Sequence, residues 1–389
     1  MSGFDLAARL ELLAARDALR VCRVREGQQG PTLWRNAEPL ADFCSNDYLG
    51  LASHPEVIDA LTEGARRYGV GSGAAHLVSG HCDVHEALEE ELAQFTGHEA
   101  ALLFSSGYMA NMGAISALMS EGGRLFQDRL NHASLLDGGR LSAVRQQRYP
   151  HLDVDALESL LARSDDAPRL IVTDGVFSMD GDIAPLPALV AAAARHHAWL
   201  MVDDAHGLGV LGAAGAGTLQ HFGLAPSSVQ VQVGTLGKAL GTSGAFVAGS
   251  RELIRYLMQK ARTFMFTTAM PPAIAMATRA SLRLAAIEQW RRDALSQHIA
   301  LFRAEAENLG LTLLPSYTPI QGIVLGDNQR ALSASDALAR KGYWVVAIRP
   351  PTVPEGTARL RITLSAAHAP EQITGLVHAL AECLAGNAP

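Results

Sequence analysis

The 389-residue sequence is poor in cysteine, in aromatic residues (6%) and in long apolar runs. Its four cysteines are scattered, and no two have the C-x-x-C spacing of a zinc knuckle or a redox motif. This usage argues against a disulfide framework and is typical of a reducing compartment. No apolar run is long enough to span a membrane, and residues 2–5 lack the basic start of a signal peptide. We therefore expect a cytoplasmic protein.

An excess of basic residues is also missing. Lys and Arg total 32 against 39 Asp and Glu, which gives a formal net charge of −7. This balance argues against nucleic acid or an anionic membrane as a general partner. Hydrophobic residues make up 48% and charged residues 18%, so the chain can bury a sizeable core.

The middle of the chain alternates between short apolar runs and helical patterns. This alternation predicts an α/β fold with a mostly parallel sheet that helices cover on both faces. The predicted strands are 101–104, 124–128, 143–149, 168–174, 198–204, 229–235 and 243–249, and the predicted helices include 108–118, 154–161 and 187–197.

The flanking regions have other patterns. Before the sheet we predict a helix over 4–20, a hairpin over 31–44, and helices from Pro55 and over 83–96. After the sheet we predict a long helical region over 272–309. It is followed by strands over 321–325, 343–348 and 359–364 and by helices over 335–341 and 370–384. The resulting domain prediction is an N-terminal segment (1–45), a large domain (46–285) and a small C-terminal α/β domain (286–389).

The stretch V-Q-V-Q-V-G-T-L-G-K-A-L-G (229–241) places Lys238 directly after a predicted buried strand. A lysine in such a turn can lose its proton through desolvation and become a nucleophile or a base. Taken by itself, the stretch favours an ordinary surface lysine after a core strand, and the rest of the chain has to change that balance.

Other reactive side chains also follow predicted strands. Ligands of open α/β sheets bind beyond the carboxyl ends of the strands, so these side chains are expected to share one site. Pyridoxal phosphate would use each residue type: a lysine for its aldehyde, a carboxylate for its ring nitrogen, and a helix N-terminus for its phosphate. The candidates are His132, Ser178, Asp203, His206, Thr235 and Lys238, with Gly107 and Tyr108 at the start of a helix.

Two other interpretations fit parts of the pattern. G-L-G-V-L-G (207–212) matches the G-x-G-x-x-G motif of dinucleotide enzymes, but more glycines follow where a helix should begin. Asp203, Asp204 and His206 could ligate a metal in a hydrolase, but no further cluster has ligand spacing, and we expect no metal.

Four motifs resemble the α-oxoamine synthase family. They are N-H-A-S-L-L-D-G (131–138), T-D-G-V-F-S-M-D-G-D (173–182), D-D-A-H-G (203–207) and T-L-G-K-A-L-G (235–241). The resemblance runs from S-N-D-Y-L-G at Ser45 to S-A-A-H at Ser365. It implies a pyridoxal-phosphate enzyme with the type I transferase fold, a large domain with a mostly parallel mixed sheet and a small C-terminal α/β domain.

The resemblance also implies roles for individual residues. Lys238 would bind the cofactor covalently and then act as the base at the substrate Cα, while Asp203 would pair with the pyridine nitrogen. His206 and Ser178 would contact the cofactor edge, and His132 would stack on its ring and face the substrate carboxylate. The remaining implied roles are phosphate contacts from Gly107, Tyr108 and Thr235, and substrate contacts from Arg20, Asn46, Arg349 and Thr352.

Within the family, R-P-P-T-V-P (349–354) most resembles the branch that condenses L-alanine with a pimeloyl thioester in biotin biosynthesis. A sister branch that uses glycine and acetyl-coenzyme A, and a silent scaffold subunit, are the alternatives; such subunits are expected to lack Lys238. The resemblance implies a homodimer with the site at the interface and an acyl carrier that is coenzyme A or acyl carrier protein. The chain departs from the family at Ala75 and His76, where many relatives have a hydroxyl residue and an arginine.

Overall fold

The computed structural model describes residues 4–142 and 144–385. The strands are β1 (Thr32–Arg35), β2 (Glu38–Asp42), β3 (Ala100–Phe104), β4 (Arg124–Asp128), β5 (Arg145–Tyr149), β6 (Arg169–Asp174), β7 (Trp199–Asp203), β8 (Val231–Thr235), β9 (Ala245–Gly249), β10 (Ile320–Gly326), β11 (Tyr343–Trp344), β12 (Val346–Ile348) and β13 (Ala358–Thr363). The helices are α1 (Leu6–Ala14), α2 (Pro55–Tyr68), α3 (Asp83–Thr96), α4 (Gly107–Leu118), α5 (Ala133–Leu141), α6 (Val154–Ala162), α7 (Leu186–Arg195), α8 (Thr218–His221), α9 (Arg251–Lys260), α10 (Arg262–Met265), α11 (Pro272–Ile287), α12 (Gln289–Asn308), α13 (Asn328–Arg340) and α14 (Pro370–Ala385).

The chain forms two compact units. The sheet unit comprises Asn46–Ser178 and Asp182–Asp293. The terminal unit comprises Met1–Ser45, Met179–Gly181 and Ala294–Pro389, of which residues 1–3 and 386–389 lie outside the described ranges. The division into 1–45, 46–285 and 286–389 stays our proposal for the domains.

A seven-stranded sheet lies at the centre of the sheet unit. Its strand order is β3-β9-β8-β7-β6-β4-β5. The pairs from β8 to β5 are parallel, and β9 is antiparallel to both of its neighbours. The predicted α/β class with a mostly parallel mixed sheet is therefore confirmed.

Successive residues of the central strands pack on opposite faces of this sheet. Leu125 belongs to an apolar cluster with α4 and α9, whereas the next residue, Phe126, packs in a cluster with α6 and α7. The same change of face separates Met201 from Val202. Because both faces are covered, most residues of the central strands are apolar, which is the pattern that made these strands recognisable in the sequence.

The terminal unit contains two small sheets. One has the order β1-β2-β11, with β1 and β2 as an antiparallel hairpin, and the other has the order β10-β13-β12. Phe43 follows the hairpin, and its ring stacks on His368 at a centroid distance of 4.2 Å. Helix α1 buries none of its residues within this unit.

Several predicted elements have different bounds in the structure. The predicted helix over 4–20 ends at Ala14, since Asp17 takes a left-handed conformation (φ 50°) that a helix cannot contain. The helical region over 272–309 is two helices, with an interruption at Glu288 (ψ 66°). The strand predicted over 343–348 is divided between the two small sheets as β11 and β12, and the helix predicted over 335–341 begins at Asn328. Ala143, the first residue of the strand predicted over 143–149, lies outside the described residues.

Among the described residues, no helix combines the length and the apolar composition that a membrane crossing requires.

His151 joins two carboxylates at the end of β4. Its Nδ1 lies 2.9 Å from Asp128 and its Nε2 lies 2.7 Å from Asp182. Burial by itself would lower the pKa of His151, but the hydrogen bonds to Asp128 and Asp182 outweigh burial and raise this pKa to about 10. The imidazolium therefore stabilises the folded state, because it holds the buried Asp128 and the partly buried Asp182 together.

We predict that His151→Gln lowers the free energy of unfolding by about 2 kcal/mol at pH 6, as expected for lost charge-assisted hydrogen bonds. The folded-state pKa of about 10 lies above the ordinary value of 6.5. The stabilisation is therefore complete below pH 6.5 and disappears as the pH rises through about 10. Urea unfolding of wild type and His151→Gln at pH 6 and above pH 10 measures how the stability difference between them changes. The exposed His221→Gln is the control. A variant with wild-type stability at pH 6 would contradict the prediction.

Candidate active site

Three neighbouring parallel strands end at one edge of the sheet. Strands β6, β7 and β8 end at Asp174, Asp203 and Thr235. Asp174 is in register with Asp203, and Asp203 is in register with Val233. The residues that follow these strands are therefore brought to one place, as expected for a ligand site of an open α/β sheet.

Lys238 lies in a tight turn after β8. The Gly241 N–H donates to the Lys238 carbonyl at 2.8 Å. Gly241 has φ +64°, and a Cβ there would lie 2.4 Å from the Ala52 nitrogen, so the turn requires glycine. Lys238 is half-buried, and its Nζ lies 2.8 Å from His206 Nε2. The lysine thus belongs to a hydrogen-bonded cluster, unlike an ordinary surface lysine.

His206 connects this lysine to two further polar residues. Its Nδ1 lies 2.7 Å from the Tyr48 hydroxyl, which donates to Asn46 Oδ1 at 3.1 Å. Since the Tyr48 proton is directed to Asn46, the Tyr48 oxygen accepts from His206 Nδ1–H. His206 Nε2 then carries the lone pair and accepts from Lys238, which makes His206 an acceptor for a lysine proton.

Asp203 is held by a buried asparagine that we did not predict. The Asn111 side chain donates to Asp203 Oδ2 at 2.6 Å and to Ser134 Oγ at 2.8 Å, and Ser134 Oγ lies 2.7 Å from His132 Nδ1. The Ala205 N–H donates to the other carboxylate oxygen at 3.0 Å. Asn111 is one turn after Gly107 in a helix of mostly small and apolar residues, and its amide was the available sequence signal.

His132 is the N-cap of α5 and lies near both charged groups of the site. Burial lowers the pKa of the His132 imidazole, the Asp203 charge raises it and the Lys238 charge lowers it further. The backbone N–H of His132 donates to Asp174 Oδ2 at 2.7 Å. Burial, followed by the Asp203 charge, raises the pKa of Asp174 well above its ordinary value. His132, Asp203 and Lys238 therefore share one electrostatic environment.

The N-terminus of α4 borders the same strand ends. The Ser106 hydroxyl caps this helix by accepting the Met109 N–H at 3.3 Å. A Cβ on Gly107 would lie 4.0 Å from Thr235 Oγ1, so the start of the helix and this hydroxyl border one space. The ring of Tyr108 meets the ring of His132 edge-on at 6.2 Å, and the Tyr108 hydroxyl donates to Asp137.

Asp204 points away from Asp203, although the two are adjacent in sequence. Its carboxylate accepts the Thr218 N–H at 2.8 Å and the Gln232 amide at 3.0 Å. A Cβ on Gly207 would lie 2.1 Å from this carboxylate, and one on Gly217 would lie 2.0 Å from it. Burial raises the pKa of Asp204 to about 7 despite its hydrogen bonds. Asp204 thus packs inside the loop 204–218, and this orientation does not favour a shared metal site with Asp203.

The structure places most of the predicted site residues in one unit. Asn46, Gly107, Tyr108, His132, Ser178, Asp203, His206, Thr235 and Lys238 all belong to the sheet unit. The other predicted substrate residues belong to the terminal unit, where Arg20 donates to Thr352 Oγ1 at 3.0 Å and Arg349 donates to the carbonyls of Asp17 and Leu19.

The residues present fit pyridoxal phosphate. An amine (Lys238) and a carboxylate (Asp203) occupy the same strand edge, as the aldehyde and the ring nitrogen require. The N-terminus of α4 leaves backbone N–H groups available for an anion beside the Thr235 hydroxyl. The donor set therefore matches each part of the cofactor.

Comparison with known families agrees with the class of protein that this fold and this site indicate. The family model described as aminotransferase class I and II matches residues 38–380. The chain belongs to this family. Among curated relatives, the 8-amino-7-oxononanoate synthase of Methylococcus capsulatus is 60% identical over 381 residues, with 98% of each chain covered. That of Cellvibrio japonicus is 55% identical over 383 residues, with 98% of this chain and 96% of the relative covered.

Solved structures share the fold over nearly the whole chain. The serine palmitoyltransferase of Sphingomonas wittichii has a TM-score of 0.93 and 31% identity, covering 100% of this chain and 99% of that chain. An 8-amino-7-oxononanoate synthase from Francisella tularensis has a TM-score of 0.78 and 32% identity, covering 89% of this chain and 98% of that one. Another structure of a serine palmitoyltransferase contains pyridoxal phosphate, according to its name.

We predict that Asp204→Asn changes how stability depends on pH. The folded-state pKa of about 7 lies above the ordinary value of 3.8, so the favourable contribution of the protonated Asp204 is complete below pH 3.8 and disappears as the pH rises through about 7. Relative to the Asp204→Asn variant, wild type should lose about 2–3 kcal/mol of stability between pH 5 and pH 8. Urea unfolding at both pH values measures this loss.

The exposed Asp59→Asn is the matched control and should keep the wild-type pH dependence. If Asp204→Asn also kept it, the titration assigned to Asp204 would be wrong.

Proposed function

We propose that this chain is a pyridoxal-phosphate-dependent acyltransferase that makes 8-amino-7-oxononanoate for biotin biosynthesis. It condenses L-alanine with a pimeloyl thioester in a decarboxylative Claisen-type reaction. The alanine Cα loses a proton and forms a bond to the thioester carbonyl carbon, and the thiol carrier leaves. The alanine carboxylate then departs as CO₂, and the Cα takes up a proton in its place. When bound, pyridoxal phosphate withdraws electrons from the substrate Cα and makes these bond changes possible.

The contact between Lys238 and His206 is the observation that carries this proposal. With Nε2 of His206 as acceptor at 2.8 Å, the Lys238 amine can give up a proton and keep its lone pair. Tyr48 and Asn46 hold the ring of His206 in the tautomer that this requires. Lys238 then serves first as the covalent attachment point and later as the base that moves the Cα proton.

In this proposal Asp203 would pair with the nitrogen of the cofactor ring, and His132 would lie against one face of the ring. Asp203 keeps the ring nitrogen protonated, and Asn111 fixes the direction of its carboxylate. His132 would stack on the ring and face the substrate carboxylate, with its orientation set by Ser134. His206 and Ser178 contact the cofactor edge, and the remaining contacts, to the phosphate, come from Gly107, Tyr108 and Thr235.

Four further residues are proposed to contact the substrates. Asn46 and Arg349 hold a substrate carboxylate or carbonyl. Arg20 and Thr352 contact the acyl substrate, which is supported by their 3.0 Å hydrogen bond across more than 300 residues of sequence. The choice of L-alanine and a pimeloyl thioester is supported by the relatives that are 55–60% identical and are named for this product.

We also propose a homodimer with the site at its interface, small-molecule substrates, and a thiol carrier that is coenzyme A or acyl carrier protein. Apolar side chains of the sheet unit that stand exposed support the dimer: Val70 is 85% exposed, Val78 79% and Phe266 67%. A cytoplasmic location is supported by the four cysteines, all of which have free thiols.

A product assay tests the proposed function. The purified holoenzyme receives L-alanine with pimeloyl-coenzyme A in one reaction, and glycine with acetyl-coenzyme A in the other. We expect thiol release and 8-amino-7-oxononanoate only in the first. Turnover only with glycine and acetyl-coenzyme A would contradict the substrate assignment and leave the cofactor assignment standing.

We predict that Lys238→Ala abolishes turnover, because the covalent attachment point and the base are lost together. Borohydride reduction followed by peptide mass spectrometry should find the cofactor bound to Lys238 in wild type and to no residue in the variant. Lys260→Ala, a change at an exposed lysine of α9, should retain both turnover and labelling. Labelling of the Lys238→Ala variant would show that another lysine carries the cofactor.

We predict that Arg20→Gln lowers kcat/KM for the pimeloyl thioester about tenfold, which corresponds to about 1.4 kcal/mol of transition-state stabilisation. The KM for L-alanine should stay unchanged, because the role assigned to Arg20 concerns only the acyl substrate. Arg9→Gln, on the exposed helix α1, is the control. Wild-type kinetics in Arg20→Gln would contradict the role of Arg20.

A further inference from the structure

Three histidines of the sheet unit converge outside the site described above. His76 belongs to a π-helical turn (His76–Gly80), His81 follows this turn, and His85 lies in the first turn of α3. One potential ligand atom from each of the three lies within 4.8 Å of the other two. No step of the proposed reaction uses this cluster, which includes one of the two positions where the sequence departs from the family pattern.

The outer nitrogens of two of these rings already have oxygen acceptors. His81 Nε2 lies 3.3 Å from a carboxylate oxygen of Glu86, and His85 Nε2 lies 2.8 Å from the Met270 carbonyl. Because these oxygens only accept, each ring carries its proton on Nε2 and its lone pair on Nδ1. A histidine that ligates a metal through one ring nitrogen usually donates its other ring N–H to a carboxylate or carbonyl oxygen of this kind.

The Nδ1 atoms of His76 and His81 lie only 2.8 Å apart. Two ring nitrogens at this distance need a positive centre between them, which is either a proton or a metal ion. When an ion replaces the proton, the neutral His76 ring moves its proton from Nδ1 to Nε2, so the exchange requires no other proton acceptor. Ligand nitrogens around tetrahedral Zn²⁺ lie about 3.4 Å apart, so shifts of about 1 Å are sufficient.

The surroundings hold the rings in place and leave access from solvent. His76 stacks on Phe264 at a centroid distance of 5.0 Å, and His85 is completely buried. The side chain of His81 is 28% exposed, and it lines a cavity of about 640 Å³ together with His76 and Glu86.

We propose that His76, His81 and His85 form a binding site for a divalent first-row transition-metal ion such as Zn²⁺. Imidazole is a preferred ligand for these ions. The Nδ1 lone pair of His85 accepts a hydrogen bond from the backbone N–H of Cys82 at 3.1 Å. The bound ion would take the place of this N–H at the lone pair. The Cys82 thiol lies 3.4 Å from the same nitrogen and offers a fourth ligand. The ion would join the turn at residues 76–80 to the start of α3.

The test uses the full-length holoenzyme with metal salts as probes. Equilibrium dialysis against Zn²⁺ should give one ion per chain, and Co²⁺ should show the visible bands of four-coordinate Co²⁺ and be displaced by Zn²⁺. His81→Gln and His76→Phe should each weaken binding at least about tenfold. His76→Phe keeps a flat ring against Phe264, and the exposed His378→Gln is the control. Saturating Zn²⁺ should raise the Tm of wild type but not that of the two cluster variants.

Each of several results would overturn this proposal. Wild type could bind no stoichiometric ion, or His81→Gln and His76→Phe could bind Zn²⁺ as tightly as wild type. The His378→Gln control could also lose as much affinity as the cluster variants. Unfolding curves without metal, recorded for every variant, separate loss of a ligand from loss of the fold.

Discussion

The parallel pairing of β6, β7 and β8 is the constraint on which the candidate active site depends. Their hydrogen-bonded register sets Asp174 beside Asp203 and brings the turn that carries Lys238 next to both. A shift of one residue would turn every side chain to the other face of the sheet. Asp203 would then leave Asn111, and the apolar residues of β7 would lose the two clusters that cover the sheet.

The adjacent carboxylates Asp203 and Asp204 show how strongly direction matters at the end of a strand. Asp203 turns toward Asn111 and the reactive residues, whereas Asp204 fills a space lined by glycines. The environments differ accordingly, since burial raises the pKa of Asp204 to about 7. One residue can serve cofactor chemistry, and the other holds the loop that positions His206.

Much of the sheet unit could be predicted because its strands are buried on both faces. The runs that became β4 and β6 to β9 are short, mostly apolar and bounded by turn residues, and helix α3 has the predicted bounds Asp83–Thr96. Elements whose bounds depend on contacts with residues distant in sequence were harder to predict. The interruption at Glu288 and the division of residues 343–348 between two sheets follow from packing partners that are distant in sequence.

The sequence by itself determined the fold class, the position of Lys238 after a buried strand, and the set of residue types that pyridoxal phosphate uses. These features depend on local composition and spacing, which a linear chain displays directly. Only the tertiary structure decided that Lys238 contacts His206, that Asn111 holds Asp203, and that His76 meets His81 and His85. The first two contacts join residues that are 32 and 92 positions apart. The third depends on a π-helical turn, so backbone geometry and packing create all three.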